Sequence, residues 1–274
     1  MGEIRGSGNV RIIVTGASGR MGRMLVRAVS EAKGMTLVGA TERTGSEHLG
    51  RDAGELAGIE TLVVALTDNI ENCPEADVVI DFTAPKATLE HARFVASHGM
   101  NIVIGTTGFT AEQLAELNQI LATSALVMAA NYSVGVNLAL NLIRQTAEVL
   151  GPDYDAEIYE AHHKHKVDAP SGTALAMGHA LAEGRGVSLE DAAVYAREGM
   201  TGAREKGSIG FAVVRAGNIV GDHKAMFISD EERIEIAHVA ADRMVFARGA
   251  ARAAGWLNGQ VTGSYDMRDV LGLT

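Results

Sequence analysis

The chain reads as an α/β protein in two parts, a parallel sheet wound with helices followed by an α+β domain with a mixed or antiparallel sheet. Three observations predict it. Short β-branched runs alternate with longer amphipathic stretches through the first half of the sequence. Several of those runs, such as Val78-Val79-Ile80 and Ile102-Val103-Ile104, are apolar throughout, as a sheet buried on both faces requires. After Asn131 the alternation gives way to closely spaced strand-like stretches separated by turns.

Taken in order, strands are predicted at about 10–15, 36–41, 62–66, 77–81, 101–104 and 125–129. Helices fall between them at Arg20 to Ala32, Lys86 to Ser97 and Ala111 to Ala122, with Gly34 and Gly99 as stops. A helix at about 136–149 then leads through Gly151-Pro152 to an alternating strand at 154–161, and a further helix runs from Ser171 to roughly Glu183. Strands come next at about 207–215, 224–229 and 233–239, with turns at Gly221-Asp222 and Asp230-Glu231, and they read as antiparallel neighbours. A helix from Asp242 to Leu257 closes the reading, and its sequence suits packing on either domain.

Composition narrows the function classes. The 274 residues include 47% hydrophobic and 21% charged residues, with 32 glycines and 4 prolines, which suits many tight strand–helix turns rather than disorder. A net charge of −10 argues against a nucleic-acid or anionic-membrane surface, so neither is expected as a partner. The lone Cys73 excludes an intrachain disulfide and a cysteine-based zinc site, as a cytoplasmic protein would have it. Met1-Gly2-Glu3-Ile4-Arg5-Gly6 lacks the apolar core of a signal peptide and has Gly6 where a myristoylation motif wants Ser or Thr. No apolar run approaches the length of a membrane span.

Gly16-Ala17-Ser18-Gly19-Arg20-Met21-Gly22 follows the first strand and opens the first helix, the context that makes a glycine pattern a phosphate site. Its spacing, Gly-x-x-Gly-x-x-Gly, is a variant of the dinucleotide fingerprint, and a turn that only eases strand–helix packing is the competing account. The second strand ends at Thr41-Glu42-Arg43, where a Rossmann-like domain places its ribose reader. Glu42 suits the adenosine ribose hydroxyls and Arg43 a 2′-phosphate, so weak discrimination between NADH and NADPH is expected. Later strand ends carry Asp81-Phe82-Thr83-Ala84 and Gly105-Thr106-Thr107-Gly108-Phe109, placed for the nicotinamide end, though Thr83 also reads as a helix cap. Ala129-Ala130-Asn131-Tyr132 lies where the first domain gives way to the second, a natural place for cofactor contacts.

The most unusual stretch is Glu160-Ala-His162-His163-Lys164-His165-Lys166-Val-Asp-Ala-Pro170-Ser171-Gly172-Thr173. So dense a cationic run repels itself, and its best rationale is a bound anion or a proton to be moved. Ser171 can cap a helix whose free N–H groups, beside Lys and His, suit a carboxylate or phosphate. Residues four apart in an extended strand lie about 13 Å from each other, so His162 and Lys166 can serve one small ligand only if the segment turns. Three histidines in four positions could hold Zn²⁺, but no Glu lies among them and the lysines oppose a cation, so no metal is expected.

These segments, with Asp52-Ala53-Gly54-Glu55-Leu56-Ala57-Gly58 and Asn131-Tyr132-Ser133-Val134-Gly135-Val136-Asn137, resemble the 4-hydroxy-tetrahydrodipicolinate reductase (dihydrodipicolinate reductase) family in order and over nearly the whole chain. The resemblance implies NADH- or NADPH-dependent reduction of a cyclic dicarboxylate imine in lysine and diaminopimelate biosynthesis, by a cytoplasmic homotetramer. It makes His162 and Lys166 catalytic, and gives His163, Ser171, Gly172 and Thr173 to the substrate. It gives Gly16, Ala17, Ser18, Gly19, Arg20, Met21, Glu42, Arg43, Gly105, Thr106, Thr107, Ala129, Ala130, Asn131 and Tyr132 to the cofactor. It further implies a dinucleotide-binding domain over 1–131, to which 241–274 returns, and a substrate-binding and oligomerisation domain over 132–240. Lys164, where the family often has Arg, keeps the charge.

Chemistry supports the assignment: a helix start and Lys166 can hold one carboxylate, and His162 can protonate the enamine that hydride addition leaves. Two other readings compete. One is a different NAD(P)H-dependent reductase, although a phosphorylating semialdehyde dehydrogenase needs a nucleophilic cysteine and Cys73 stands in no supporting motif. The other is an NAD(P)H-sensing regulatory protein, which has no use for a proton donor.

Overall fold

The computed structural model describes residues 9–273, so the Met1–Gly6 start read for targeting signals lies outside the described residues. The chain forms two compact units, one of residues up to Val134 together with Met244 onward, the other Gly135–Arg243.

The first unit begins with β1 (Val10–Thr15), α1 (Arg20–Glu31), β2 (Met35–Thr41), α2 (Ala53–Ala57) and β3 (Leu66–Thr67). It continues with β4 (Val78–Asp81), α3 (Pro85–Ser97), β5 (Asn101–Ile104), α4 (Ala111–Ile120) and β6 (Ala125–Met128). The second unit carries α5 (Val134–Leu150), β7 (Asp155–His162), α6 (Gly172–Arg185), α7 (Leu189–Ala192), β8 (Ala193–Val194), β9 (Ile209–Arg215), β10 (Gly221–Ile228) and β11 (Arg233–Ala240). The chain then returns to the first unit as α8 (Met244–Leu257), β12 (Gly263–Tyr265) and α9 (Met267–Leu271). No helix among the described residues is long and apolar enough to cross a membrane.

In the first unit seven parallel strands lie in the order β12-β6-β5-β4-β1-β2-β3. Alternate residues of β1 face opposite cores: Ile12 and Val14 join Leu25, Val26 and Ala250, whereas Ile13 joins Val79, Ile102 and Leu117. That two-sided burial explains the continuously apolar strands. β1 pairs with β2 on one side and β4 on the other, so the strand order reverses there and opens a crevice beyond Thr15 and Asp81, where ligands bind in such sheets.

α8 covers one face with small residues, Ala247, Ala250, Ala251 and Ala254 among them. It approaches so closely that a Cβ on Gly249 would stand 1.7 Å from the Tyr132 carbonyl oxygen. Beyond Leu257, β12 adds to β6, and α9 starts with a reciprocal cap between Asp266 and Asp269. Neither element is anticipated by the sequence pattern.

The expected strand at 62–66 is corrected. Only Leu66–Thr67 joins the sheet, beside β2, while Ala65 forms an isolated bridge with Asp52 and Val63 takes φ 60°. The reason is Asp52, whose carboxylate caps α2 and also accepts the N–H groups of Leu62 and Val64 at 3.0 and 2.9 Å, removing those donors from any ladder.

In the second unit the sheet order is β11-β10-β7-β9-β8 and the sheet is mixed. β10 is antiparallel to β11 and β7, whereas β7, β9 and β8 run parallel. One face rests on Ile143, Met177, Leu181, Phe211 and Phe227. The turn expected at Gly221-Asp222 is a second correction: Gly221 begins β10, paired with Ala240. The connection lies earlier, at Gly217 with φ 49°. It has to pass the end of β7, because β7 lies between β9 and β10, and it bonds there: Ala216 N–H donates to the His162 carbonyl (2.9 Å) and Lys164 N–H to the Gly217 carbonyl (3.2 Å).

Candidate active site

Strand register assembles the second unit's polar cluster. Glu160 of β7 stands opposite His223 of β10 and Val213 of β9, and two residues on, His162 stands opposite Arg215 of β9 with Gly221 of β10 close to its ring. Side chains two apart in a strand share a face, so Glu160, His162, Arg215 and His223 gather at one end of the core-facing side.

Glu160 is fully buried and His162 is 8% exposed. Glu160 Oε2 takes the His162 Nδ1 at 2.5 Å and an Arg215 Nη1 at 2.9 Å. Its Oε1 takes the other guanidinium nitrogen at 2.8 Å and the Ser171 backbone N–H at 2.9 Å. Burial alone would raise this carboxyl, but the Arg215 and His162 hydrogen bonds outweigh it and hold Glu160 below the ordinary carboxylate range.

Ser171 is the N-cap of α6, its hydroxyl accepting the Ala174 N–H at 3.2 Å. The same oxygen lies 3.0 Å from His223 Nε2. Gly172 is exposed, and a Cβ there would meet nothing within 4 Å, so the helix start is open to a ligand oxygen. Burial, then the charge of His162, pushes His223 down to about 4, so this imidazole is neutral at pH 7.

After His162 the chain turns, with the Lys166 N–H donating to the His163 carbonyl at 3.1 Å. The condition for His162 and Lys166 to act together is met by that turn. Lys166 Nζ pairs with Asp168 at 2.8 Å, a pairing that a bound carboxylate would share or replace. His163 is half-buried, and burial together with the Arg243 and His162 charges holds it below the ordinary imidazole value. A cation is a poor fit: Glu160, His162 and His223 each offer a donor atom within 4.8 Å of the others, but Arg215 and His162 already occupy the carboxylate.

In the first unit, the glycine turn joins β1 to α1. Gly16 takes φ +61°, and a Cβ on Gly22 would stand 2.0 Å from the Gly16 carbonyl oxygen, so the turn and helix close tightly only with glycine. Gly19 caps α1 without a side-chain hydrogen bond, and Arg20 beside it is exposed. Ala17 is buried and Met21 half-buried against the core. The Ser18 N–H and hydroxyl donate to Glu42 Oε2 at 3.1 and 2.5 Å, and Arg43 N–H donates to Oε1 at 3.0 Å. These bonds outweigh burial and keep Glu42 ionised, with acceptor capacity left for a ribose hydroxyl. The exposed Arg43 side chain lies next to it in sequence. Glycine cradle, open helix start and oriented carboxylate together fit a dinucleotide.

At the carboxyl ends of β4 and β5 a fully buried Asp81 organises the turns. The hydroxyls of Thr83, Thr88 and Thr106 lie 2.8, 3.0 and 2.9 Å from Oδ1, and His91 Nδ1 meets Oδ2. The Thr106 side chain is therefore used inside the fold, whereas Thr107 is exposed. Gly105 lets Phe82 pack: a Cβ would fall 2.1 Å from its ring. Tyr132 is also internal, its hydroxyl reaching the Ile104 and Val127 carbonyls at 2.8 and 2.9 Å. Ala129 and Asn131 are half-buried and Ala130 exposed. Sequence reasoning assigned no individual role to Glu160, Asp81, His91, Arg215 or His223; Glu160 and Asp81 stood inside segments it singled out, the other three did not.

A parallel sheet with a switch point, a glycine turn at its first helix and an acidic residue directly after its second strand define a Rossmann-like nucleotide-binding unit of the oxidoreductase type. Residues 10–132 match the family model described as dihydrodipicolinate reductase, N-terminus, and residues 135–271 the corresponding C-terminus. The chain belongs to the dihydrodipicolinate reductase family.

A curated 4-hydroxy-tetrahydrodipicolinate reductase from Ruegeria pomeroyi is 54% identical over 263 residues, covering 96% of this chain and 98% of that protein. Among solved structures, a dipicolinate-bound dihydrodipicolinate reductase from Paenisporosarcina sp. TG-14 shares the fold at TM-score 0.72 and 24% identity, covering 94% of this chain and 97% of that one. An amine dehydrogenase from Mycobacterium smegmatis shares it at TM-score 0.64 and 14% identity, covering 94% and 95%.

Proposed function

We infer that the protein reduces 4-hydroxy-tetrahydrodipicolinate, through the dehydrated imine dihydrodipicolinate, to tetrahydrodipicolinate in lysine and diaminopimelate biosynthesis. The observation that carries this is the pairing, on one buried carboxylate, of His162 with the open N-terminus of α6. One group can give a proton and the other can hold an anion. The dipicolinate-bound relative supports a planar dicarboxylate ligand of this kind.

A bound nicotinamide supplies hydride. Gly16, Ala17, Ser18, Gly19, Arg20 and Met21 would receive its pyrophosphate, Glu42 the ribose hydroxyls, Arg43 a 2′-phosphate, and Gly105 to Thr107 with Ala129 to Tyr132 the nicotinamide end. With Glu42 and Arg43 side by side, NADH and NADPH both serve. In the second unit, Gly172 and Thr173 N–H groups, Lys166 and His163 hold a ring carboxylate through charge-assisted hydrogen bonds. Hydride addition leaves an enamine, and His162 protonates its carbon end.

A homotetramer accords with the half-exposed Met226 and Ile228 and the exposed Val239 on the outer face of the second unit's sheet, and sedimentation of the purified protein as a monomer would overturn it. A cytoplasmic location fits the lone Cys73, whose thiol burial pushes up to about 11; fractionation with the cell envelope would contradict it.

NADPH and NADH oxidation with freshly generated 4-hydroxy-tetrahydrodipicolinate tests the reading. Wild type should turn over, and His162→Ala should lose about 10²–10⁴-fold in rate while binding cofactor as before. Cofactor binding without turnover in wild type would move the sensor reading forward.

A further inference from the structure

His162 needs more than proximity to act as a proton donor. It must present one defined nitrogen, carry a proton, and stay aligned with the group that holds the substrate carboxylate. All three demands converge on Glu160, since Oε2 holds His162 Nδ1 while Oε1 holds the N–H of Ser171, the N-cap of α6. Arg215 bonds both oxygens, at 2.9 and 2.8 Å, which fixes the plane of the carboxylate. The guanidinium also donates to the Asp168 carbonyl at 2.6 Å, anchoring the loop that carries Lys166.

We propose that Glu160, clamped by Arg215, is a positioning residue that sets the tautomer of His162 and its register with the α6 anion cradle. This rests on the reading of His162 as the proton donor. A carboxylate on Nδ1 keeps the hydrogen there, so Nε2 is the nitrogen that meets the substrate. Gly221 leaves room on that side, because a Cβ would stand 3.1 Å from Nε2. Other groups around His162 are Arg215 on β9, His223 on β10, and His163 and Lys166 in the turn, of which the two imidazoles are both held below the ordinary histidine value.

Glu160→Gln tests it. The amide keeps the shape but brings an NH₂ into a site where His162, Ser171 and Arg215 all donate. Expected are a fall of about 100-fold in kcat/KM, most of it in kcat, and unchanged NADPH affinity. A second measurement needs no substrate and no folded variant at Glu160: ¹⁵N shifts of histidine-labelled wild type, assigned by difference from His162→Gln, should show neutral His162 protonated on Nδ1. An Nε2–H tautomer in wild type overturns the proposal. So does a Glu160→Gln enzyme with the wild-type kcat and kcat/KM, and in that case the reductase reading stands. If wild type is not a reductase yet carries the Nδ1–H tautomer, the reductase reading fails while the positioning by Glu160 is upheld.

Discussion

His223 carries no charge at neutral pH because its place in the β10 register buries it against Glu160 and His162. Its folded value of about 4 lies below the ordinary 6.5, so between those limits the unfolded chain binds the proton and the folded chain does not. Stability from this group is therefore complete above pH 6.5 and is lost as pH falls toward 4. Between pH 7 and 5 the loss is about 2 kcal/mol. Urea unfolding of wild type and His223→Gln at the two pH values checks this; the variant should lose less stability by about that amount, and equal losses in both proteins would refute it. Nothing local in the sequence announces this histidine. His223 meets Ser171 from 52 positions away and Arg215 meets Glu160 from 55, whereas His162 and Ser171 stood out through their immediate neighbours.

Among the elements, those governed by neighbours in the chain were legible. Ser171 caps α6, Thr110 and Gln113 form a reciprocal cap on α4, and Gly16 to Gly22 makes the turn into α1. The misread elements are those whose backbone donors go elsewhere: Asp52 draws the N–H groups at 62 and 64 out of the expected strand. At Gly22 the requirement is steric, since a Cβ would also fall 2.7 Å from the Ala17 Cα. Gly22→Ala should push α1 from the turn, costing about 1–3 kcal/mol and weakening NADPH binding about tenfold. Thermal unfolding and a fluorescence titration measure both, and a variant that binds and melts like wild type would show that the turn tolerates the displacement.

Across the whole molecule, the first unit is discontinuous in sequence. Its core takes Ala247, Ala250, Ala253, Ala254 and Leu257 from α8, none with measurable exposure, and its sheet takes β12. A chain ending at Arg243 should therefore lose NADPH binding and expose apolar surface to dye. A truncated protein that still binds cofactor with wild-type affinity would mean that α8 is dispensable. The sequence by itself determined the features that chain-local rules govern: the alternation of strand and helix, the glycine turn, the capped start of α6, the turn between His162 and Lys166, and the motifs that mark the family. Only the tertiary structure decided that Glu160 is gripped by Arg215 and that His223 is neutral. Each of those depends on which strands lie side by side and what they exclude from water, and neither can be read from the spacing of residues along the chain.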